Sequence, residues 1–306
     1  MWVTSSLNQV LQPTAAALGN FDGLHLGHQR VIQAIQSASA ENIYPTVVAF
    51  DPHPHEYFSG QMRQLLTPVQ EKATLLQALG VAQLVLLPFN QRIASLTPEA
   101  FVRDILITRL RVQQLSVGFN FHFGRDRSGN PDLLVELGQR FGIQVHVADP
   151  HRLAGEPVSS SLIRTALETG DLTRANQLLG RSYALTGTVV HGEALGRTLG
   201  FPTANVEVPG NKFLPRYGVY RVSVQLGQDP QRYGGVMNLG DRPTVNGQHH
   251  SIEVHLLDWS GDLYGQTLTV SLQQFLRPEQ KFSSLAELQA QIQRDCDTAR
   301  AQLTSV

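Results

Sequence analysis

Cysteine is almost absent from this 306-residue sequence, in which Cys296 is the single example. One thiol cannot form an internal disulfide and has no partner thiols for a zinc site, a pattern typical of reducing compartments. We expect Cys296 to be a small buried residue without a chemical role.

The sequence also has few features of an exported or membrane-spanning chain. No Lys or Arg precedes Arg30, so the basic start of a secretory signal is missing. No apolar run approaches the roughly 18 residues that cross a bilayer. We therefore expect a cytoplasmic protein with no membrane partner.

An excess of charge of one sign is missing as well. Lys and Arg total 24 against 25 Asp and Glu, which gives a formal net charge of −1. This net charge gives no general attraction to nucleic acid, so a polyanionic small molecule must be bound by local contacts. Nothing in the sequence supports a particular oligomeric state.

The first 180 residues alternate short apolar runs with amphipathic stretches. Buried strands are predicted at residues 15–21, 46–50, 84–89, 114–118 and 143–148. Thr97 followed by Pro98 predicts a helix start, while Gly80 and Gly180 predict helix ends. This alternation predicts an α/β domain with a doubly wound parallel sheet, which binds ligands beyond the carboxyl ends of its strands.

After Gly180, strand-like segments follow one another without helices between them, at residues 183–190, 218–224, 233–239, 252–258 and 268–276. This pattern predicts an antiparallel β-barrel or sandwich. A capping box at residues 284–287 opens a terminal helix. Its apolar residues are expected near one face: Leu285, Leu288, Ile292, Ala299 and Leu303. We predict domains at residues 1–182 and 183–306.

The motif with the most candidate functional residues is Gly-Asn-Phe-Asp-Gly-Leu-His-Leu-Gly-His at residues 19–28, where a predicted strand ends and a helix begins. At a helix start, His25 and His28 can both donate hydrogen bonds to a triphosphate. Metal ligation and simple helix capping are the alternatives. Four residues before the pair are expected to approach phosphate: Gly19, Phe21, Asp22 and Gly23.

This run resembles the HxGH nucleotidylyltransferase superfamily, and its full length is similar to the bacterial FAD synthetase branch. The resemblance implies that the N-terminal half adenylylates FMN with ATP, giving FAD and pyrophosphate. Two segments after predicted strands then become candidates for flavin binding. Asp51 and His53 lie beside two prolines that also suit a rigid turn, and Asn120 lies beside two aromatic residues that also suit a core, Phe121 and Phe123.

A serine-rich segment, Ser159, Ser160 and Ser161, is predicted to begin a later helix. The guanidinium of Arg164 follows one helical turn later. This arrangement suits the β- and γ-phosphates of a departing pyrophosphate, although a plain helix cap with a surface arginine has the same pattern. The resemblance assigns the segment that leaving-group role. Family members often have a basic residue immediately before this segment, where this chain has Pro157 and Val158. Arg152 or Arg125 is a candidate to supply the charge.

A second motif, Gly-Arg-Thr-Leu-Gly-Phe-Pro-Thr-Ala-Asn, occupies residues 196–205 and is predicted to form a loop between barrel strands. Thr203 and Asn205 alternate on one side of an extended segment, so their oxygens can jointly hold Mg²⁺ and nucleotide phosphate. An ordinary Pro-Thr turn is the alternative. The other residues expected to bind ATP are Gly196, Arg197, Gly200 and Pro202.

This second motif resembles the riboflavin kinase signature, and residues 217–220, 235–240, 242–244 and 253–258 extend the likeness. The resemblance implies that Glu253 is the general base, whereas the strand pattern alone also fits an exposed glutamate. It further implies that Arg277 and Phe282 help to close over the flavin.

The two resemblances together cover nearly the whole chain. They imply a bifunctional enzyme that makes FMN from riboflavin and ATP in its C-terminal half and FAD from FMN and ATP in its N-terminal half, with Mg²⁺ as cofactor. Two alternatives stay open: a kinase that has lost adenylylation, and a module that senses flavin nucleotides without turnover.

Overall fold

The computed structural model describes residues 1–36, 42–192, 195–244 and 247–301. By compactness the chain divides into two units, Met1–Ser160 and Ser161–Val306. The functional boundaries 1–182 and 183–306 stay a prediction.

The first unit is built on a parallel sheet, which among the described residues has six strands in the order β1-β4-β3-β2-β5-β6. The strands are β1 Trp2–Thr4, β2 Thr14–Leu18, β3 Tyr44–Asp51, β4 Gln83–Pro88, β5 Val112–Gly118 and β6 Gln144–Ala148. The strand order reverses between β2 and β5. The carboxyl ends of these neighbours therefore form the crevice where such sheets bind ligands.

Helices cover both faces of this sheet, as predicted. They are α1 Leu26–Gln36, α2 Pro54–Ser59, α3 Val69–Ala78, α4 Gln91–Ala94, α5 Pro98–Ala100 with a π-helix at Phe101–Ile107, and α6 Pro131–Phe141. Ala15 and Ala17 belong to one core cluster and Ala16 and Leu18 to the other, because successive side chains of β2 point to opposite faces. A small hairpin follows, with β7 at Arg152–Leu153 and β8 at Glu156–Pro157.

The predicted helix boundaries are confirmed at three positions. The Thr97 hydroxyl accepts a hydrogen bond from the Ala100 N–H at 3.2 Å and so caps the helix that begins at Pro98. Gly80 and Gly180 adopt φ values of +74° and +69°, the left-handed conformation that ends helices at glycine. No helix in the described part of the chain is long and apolar enough to cross a membrane.

The second unit is a closed antiparallel barrel in the order β10-β13-β12-β11-β14-β9, with β9 pairing back to β10. Its strands are β9 Ala184–Val190, β10 Ala204–Glu207, β11 Gly218–Leu226, β12 Arg232–Thr244, β13 Gly247–Leu256 and β14 Thr267–Arg277. Three helices accompany them before the terminal one: α7 Ser160–Thr169, which begins at the unit boundary, α8 Leu172–Leu179 and α9 Leu195–Thr198. The barrel prediction is confirmed, with one strand more than expected because β10 lies inside the motif predicted to be a loop.

The terminal helix α10 spans Leu285–Ala301. The Ser284 hydroxyl caps it by accepting from the Glu287 N–H at 3.2 Å, while the Glu287 carboxylate accepts from the Ser283 N–H at 3.1 Å. Leu285, at the start of the predicted apolar face, is 63% exposed. Leu303 lies outside the described residues.

The buried face of α10 is set by Ile292, Cys296 and Ala299, which pack against barrel residues. Cys296 is buried as predicted, and burial raises the pKa of its thiol to about 11. A thiol with so high a pKa is protonated at neutral pH and therefore unreactive.

Candidate active sites

The loop at residues 19–24 carries the chain from β2 to α1 at the crevice of the parallel sheet. Phe21 and Leu24 adopt φ values of +50° and +44°, which bulky residues rarely do. Both side chains are about 1% exposed in the core beneath the loop. Their burial stabilises a backbone conformation that is otherwise strained. Strained backbone of this kind is common at active sites and ligand-binding sites.

His25 and His28 lie together at the start of α1. Their rings stack with centroids 3.6 Å apart, and the His28 N–H donates to Nδ1 of His25 at 3.2 Å. Because that nitrogen accepts, a neutral His25 carries its proton on Nε2 and uses it as a donor. A Cβ at Gly27 would lie 3.1 Å from the His25 ring, so glycine leaves room for this arrangement.

Asp22 and Gly23 are held by residues far away in the sequence. The Thr67 N–H donates to the Asp22 carboxylate at 3.1 Å, and the Gly23 N–H donates to the Thr67 hydroxyl at 2.9 Å. The Ser160 hydroxyl donates to the Asp22 carbonyl at 2.7 Å. The structure therefore brings predicted phosphate-binding residues together with Thr67, which the sequence analysis missed.

His53 begins α2 and points toward the same loop. Its Nε2 lies 2.8 Å from Asn20 Nδ2 and 2.9 Å from Arg63 Nη1. Burial, followed by the positive charge of Arg63, lowers the pKa of His53 to about 4, so the ring is neutral at physiological pH. Asp51, at the end of β3, is exposed. The flavin-binding roles of Asp51 and His53 stay predictions.

The aromatic segment after β5 is divided between core and surface. Phe121 and Phe123 stack with centroids 5.8 Å apart, and Phe123 is 4% exposed within the core. Asn120 accepts at its carbonyl from His122 Nδ1 at 3.0 Å, while Phe119 is 49% exposed. Core packing was the alternative for these aromatics, and their contact with flavin stays a prediction.

The serine-rich segment lies across the division of the chain. Ser159 and Ser160 belong to the first unit, and Ser161 and Arg164 belong to the second. The Arg164 guanidinium lies 5.6 Å from the ring centroid of Phe213. The pyrophosphate-binding role of this segment stays a prediction.

Arg152 and Arg125, the alternative sources of positive charge, both have partners within the first unit. Arg152 Nη1 donates to the Gly155 carbonyl at 2.9 Å, inside the hairpin of β7 and β8. Arg125 Nε lies 3.7 Å from an Asp126 carboxylate oxygen at the surface.

Glu253 lies in the middle of three barrel strands. On β13 it pairs with Asn205 of β10 on one side and with Asn238 of β12 on the other. The Thr203 hydroxyl donates to Glu253 Oε2 at 3.4 Å, and the Ser251 hydroxyl donates to Oε1 at 3.0 Å. The structure thus brings Thr203, Asn205 and Glu253 together and adds Ser251, which the sequence analysis missed.

Glycines allow close packing within and beside the second motif. A Cβ at Gly192 would lie 2.2 Å from Asn205 Nδ2, and one at Gly196 would lie 2.4 Å from the Phe201 carbonyl oxygen. The Phe201 N–H donates back to the Gly196 carbonyl at 2.8 Å, which folds the motif onto itself. The Arg197 side chain lies outside the described residues.

A cavity of about 440 Å³ opens beside the same motif. Gly200 has a φ of +83°, and the Pro202 carbonyl accepts from His255 Nδ1 at 2.8 Å. The cavity lining includes Gly200, Pro202 and His255 together with Phe201, Leu256, Trp259 and Arg300. Arg300 donates to Asp258 at 3.2 Å, so it has a protein partner.

Arg277 is fixed by the terminal helix. Its Nε and Nη2 donate to the Asp295 carboxylate at 3.0 Å and 2.8 Å, and both side chains are largely buried. The guanidinium also lies 5.8 Å from the ring centroid of Phe282, which lines a second cavity of about 590 Å³. The predicted flavin-binding pair is thus connected to α10, while its contact with flavin stays a prediction.

Replacing Asp295 by alanine is expected to lower the free energy of unfolding of the barrel by about 3 kcal/mol, because it leaves a buried guanidinium without its partner. Urea unfolding, followed through the far-ultraviolet signal of the full chain, measures this change. Asp297→Ala on the exposed side of the same helix is the control, with an expected change below about 0.5 kcal/mol. Equal midpoints for the two variants would contradict the prediction.

Comparisons with known proteins cover both units. A family model described as FAD synthetase matches residues 7–162, and one described as riboflavin kinase matches residues 179–303. The bifunctional riboflavin kinase/FMN adenylyltransferase of Pseudomonas fluorescens is 43% identical over 94% of this chain and 92% of its own length. The protein of the same name from Haemophilus influenzae is 39% identical over 96% of both chains.

A solved structure extends the likeness to three dimensions. The crystal structure of a macrolide-efflux protein from Streptococcus pneumoniae is similar to this chain with a TM-score of 0.85 and 28% sequence identity. The match covers 97% of this chain and 98% of that protein.

Proposed function

The chain belongs to the family of bifunctional riboflavin kinases/FMN adenylyltransferases, and we propose that Glu253 serves its phosphorylation of riboflavin while His25 and His28 serve its adenylylation of FMN. Each reaction consumes one ATP, and the first yields the FMN that the second converts to FAD and pyrophosphate. The observation that carries the assignment of Glu253 is the convergence of the Thr203 and Ser251 hydroxyls on its carboxylate.

In the kinase reaction, Glu253 accepts the proton of the ribityl 5′-hydroxyl as that oxygen attacks the γ-phosphorus of ATP. The bond between the γ-phosphorus and the bridging oxygen breaks, and ADP leaves with the electron pair of that bond. The two hydroxyl contacts orient the carboxylate, and pairing of β13 on both sides fixes the backbone beneath it. A base held in this way is already placed for proton transfer when the substrate binds.

Thr203 and Asn205 are proposed to hold Mg²⁺. A hydroxyl and an amide oxygen are hard ligands, and their position beside Glu253 fits an ion that keeps several waters and binds phosphates. The described residues contain no group of three or more His, Cys, Asp or Glu placed to hold a metal. When bound, Mg²⁺ offsets charge on the transferred phosphoryl group.

In the adenylylation reaction, an oxygen of the FMN phosphate attacks the α-phosphorus of ATP and pyrophosphate leaves. His25 and His28 donate hydrogen bonds to the phosphate oxygens as negative charge increases on them. The first turn of α1 contributes its N–H groups and the positive end of its dipole. Ser159, Ser160, Ser161 and Arg164 are proposed to receive the leaving pyrophosphate.

The purified chain is expected to convert riboflavin to FAD when supplied with ATP and Mg²⁺, with FMN as the intermediate. Separation of the flavins by chromatography measures all three compounds. Addition of EDTA is expected to lower phosphorylation of riboflavin more than about a hundredfold, because the metal supplies several kcal/mol of charge stabilisation.

The same assay distinguishes the alternatives. Formation of FMN without FAD would identify a kinase that has lost adenylylation, and formation of neither would identify a flavin-sensing module. Full activity in EDTA would remove Mg²⁺ from the mechanism.

We further propose that the enzyme works in the cytoplasm on small-molecule substrates. Its single thiol is buried, and its net charge of −1 gives no general attraction to nucleic acid.

A further inference from the structure

Lys72 is a buried lysine close to the adenylylation loop, although it belongs to neither sequence motif. It lies on α3 and is 6% exposed, and its ammonium donates to the Asn20 carbonyl at 2.7 Å. Burial lowers the pKa of this ammonium, while the carboxylates of Asp22 and Asp51 favour its protonated form. Burying an ammonium is costly, so its retention at this position needs an explanation.

The loop that Lys72 contacts needs stabilisation. Asn20 precedes Phe21 and Leu24, the two bulky residues with positive φ. Strained backbone of this kind persists only where surrounding contacts fix it. Lys72 supplies a charge-assisted hydrogen bond, which is stronger than a bond between neutral groups.

Contacts connect the Asn20 peptide to the histidine pair. Phe21 is the next residue, and its ring meets His28 edge-on with centroids 5.3 Å apart. His28 in turn stacks on His25. A displacement of the Asn20 carbonyl would therefore move the Phe21 ring and, through it, both imidazoles.

We propose that Lys72 is a positioning residue for adenylylation, whose ammonium fixes the Asn20 carbonyl and thereby the placement of His28 through Phe21. This inference rests on the proposed role of His28. In this role Lys72 acts through the Asn20 carbonyl, which its ammonium contacts at 2.7 Å.

Lys72→Met is expected to lower kcat for FAD formation from supplied FMN by about 10- to 100-fold, since small misplacements of reacting groups have effects of that size. KM for FMN and for ATP should stay within about threefold. Riboflavin phosphorylation, measured on the same preparation, should be unchanged. Lys72→Arg keeps a buried cation and is expected to restore most of the lost kcat.

Lys212→Met is the matched control. Lys212 is 2% exposed in the second unit, where its ammonium lies 4.5 Å from the ring centroid of Tyr183. Its replacement removes an equally buried ammonium but should leave adenylylation unchanged.

Three results would overturn the proposal: unchanged adenylylation in Lys72→Met, an effect confined to KM, or a parallel loss of phosphorylation showing that Lys72 maintains the fold. The role of His28 is tested separately by its own substitution. Full activity in Lys72→Met together with loss in His28→Ala would reject the positioning role alone.

Discussion

Replacing Glu253 by alanine is expected to abolish phosphorylation of riboflavin while FAD formation from supplied FMN continues at its original rate. A positioned general base increases the rate about 10²- to 10⁴-fold. In the hydrogen bonds of the described residues, the Thr203 and Ser251 hydroxyls donate to the carboxylate of Glu253 and to no other carboxylate. The measurement is the initial rate of FMN formation from riboflavin, compared with FAD formation from FMN.

Two further variants separate chemistry from structure. Glu253→Gln keeps the shape of the side chain but cannot accept the proton, so it should be as inactive as the alanine variant. Glu207→Ala removes an exposed glutamate from the neighbouring strand β10 and should leave both activities intact. Equal loss of both activities in Glu253→Ala would refute the independence of the two sites.

His28→Ala is expected to stop FAD synthesis while FMN accumulates. Removing one donor to a transition-state oxyanion typically lowers the rate by about 10²- to 10³-fold, and loss of this ring also removes the stack that orients His25. Chromatography of a riboflavin, ATP and Mg²⁺ incubation should show the flavin pool arrested at FMN.

His146→Ala is the corresponding control, because this histidine lies exposed on the edge strand β6 of the same unit. Its FAD output should match that of the original chain. Normal FAD output from His28→Ala would remove that residue from the mechanism.

The regular parts of the fold were predictable because their patterns are local. Apolar runs identified strands β2 to β6 of the parallel sheet, and the change of rhythm after Gly180 identified the barrel. Short elements were not predictable in this way. Strand β1 spans only Trp2–Thr4 and is fixed by parallel pairing with β4, about 80 residues away in the chain.

Other differences also arise from tertiary pairing. Asn205 lies in a motif that resembles a loop, yet hydrogen bonding to β9 and β13 makes it part of strand β10. Leu285 has the helical spacing of a buried residue, but the packed part of α10 lies nearer its C-terminal end. Periodicity identifies a face of a helix and not how far along it the packing extends.

The motifs of the candidate sites could be predicted from the sequence, but the residues that hold those motifs in place could not. His25 and His28 are close in sequence, so their proximity follows from a helix start. Thr67 and Lys72 reach the same loop from more than 40 residues away, and neither belongs to a recognisable pattern. Contacts of this kind depend on the packing of α3 against the sheet, which a single sequence does not specify.

The closed barrel has a consequence for how firmly the proton acceptor of the kinase reaction is held in place. Each described barrel strand is hydrogen-bonded to a neighbour on both sides, so exchange of the backbone amides near Glu253 requires β13 to separate from β10 or from β12. The proton acceptor therefore lies on a strand that is paired with a neighbour on each side. Keeping that acceptor in place and keeping the barrel closed are a single thermodynamic requirement.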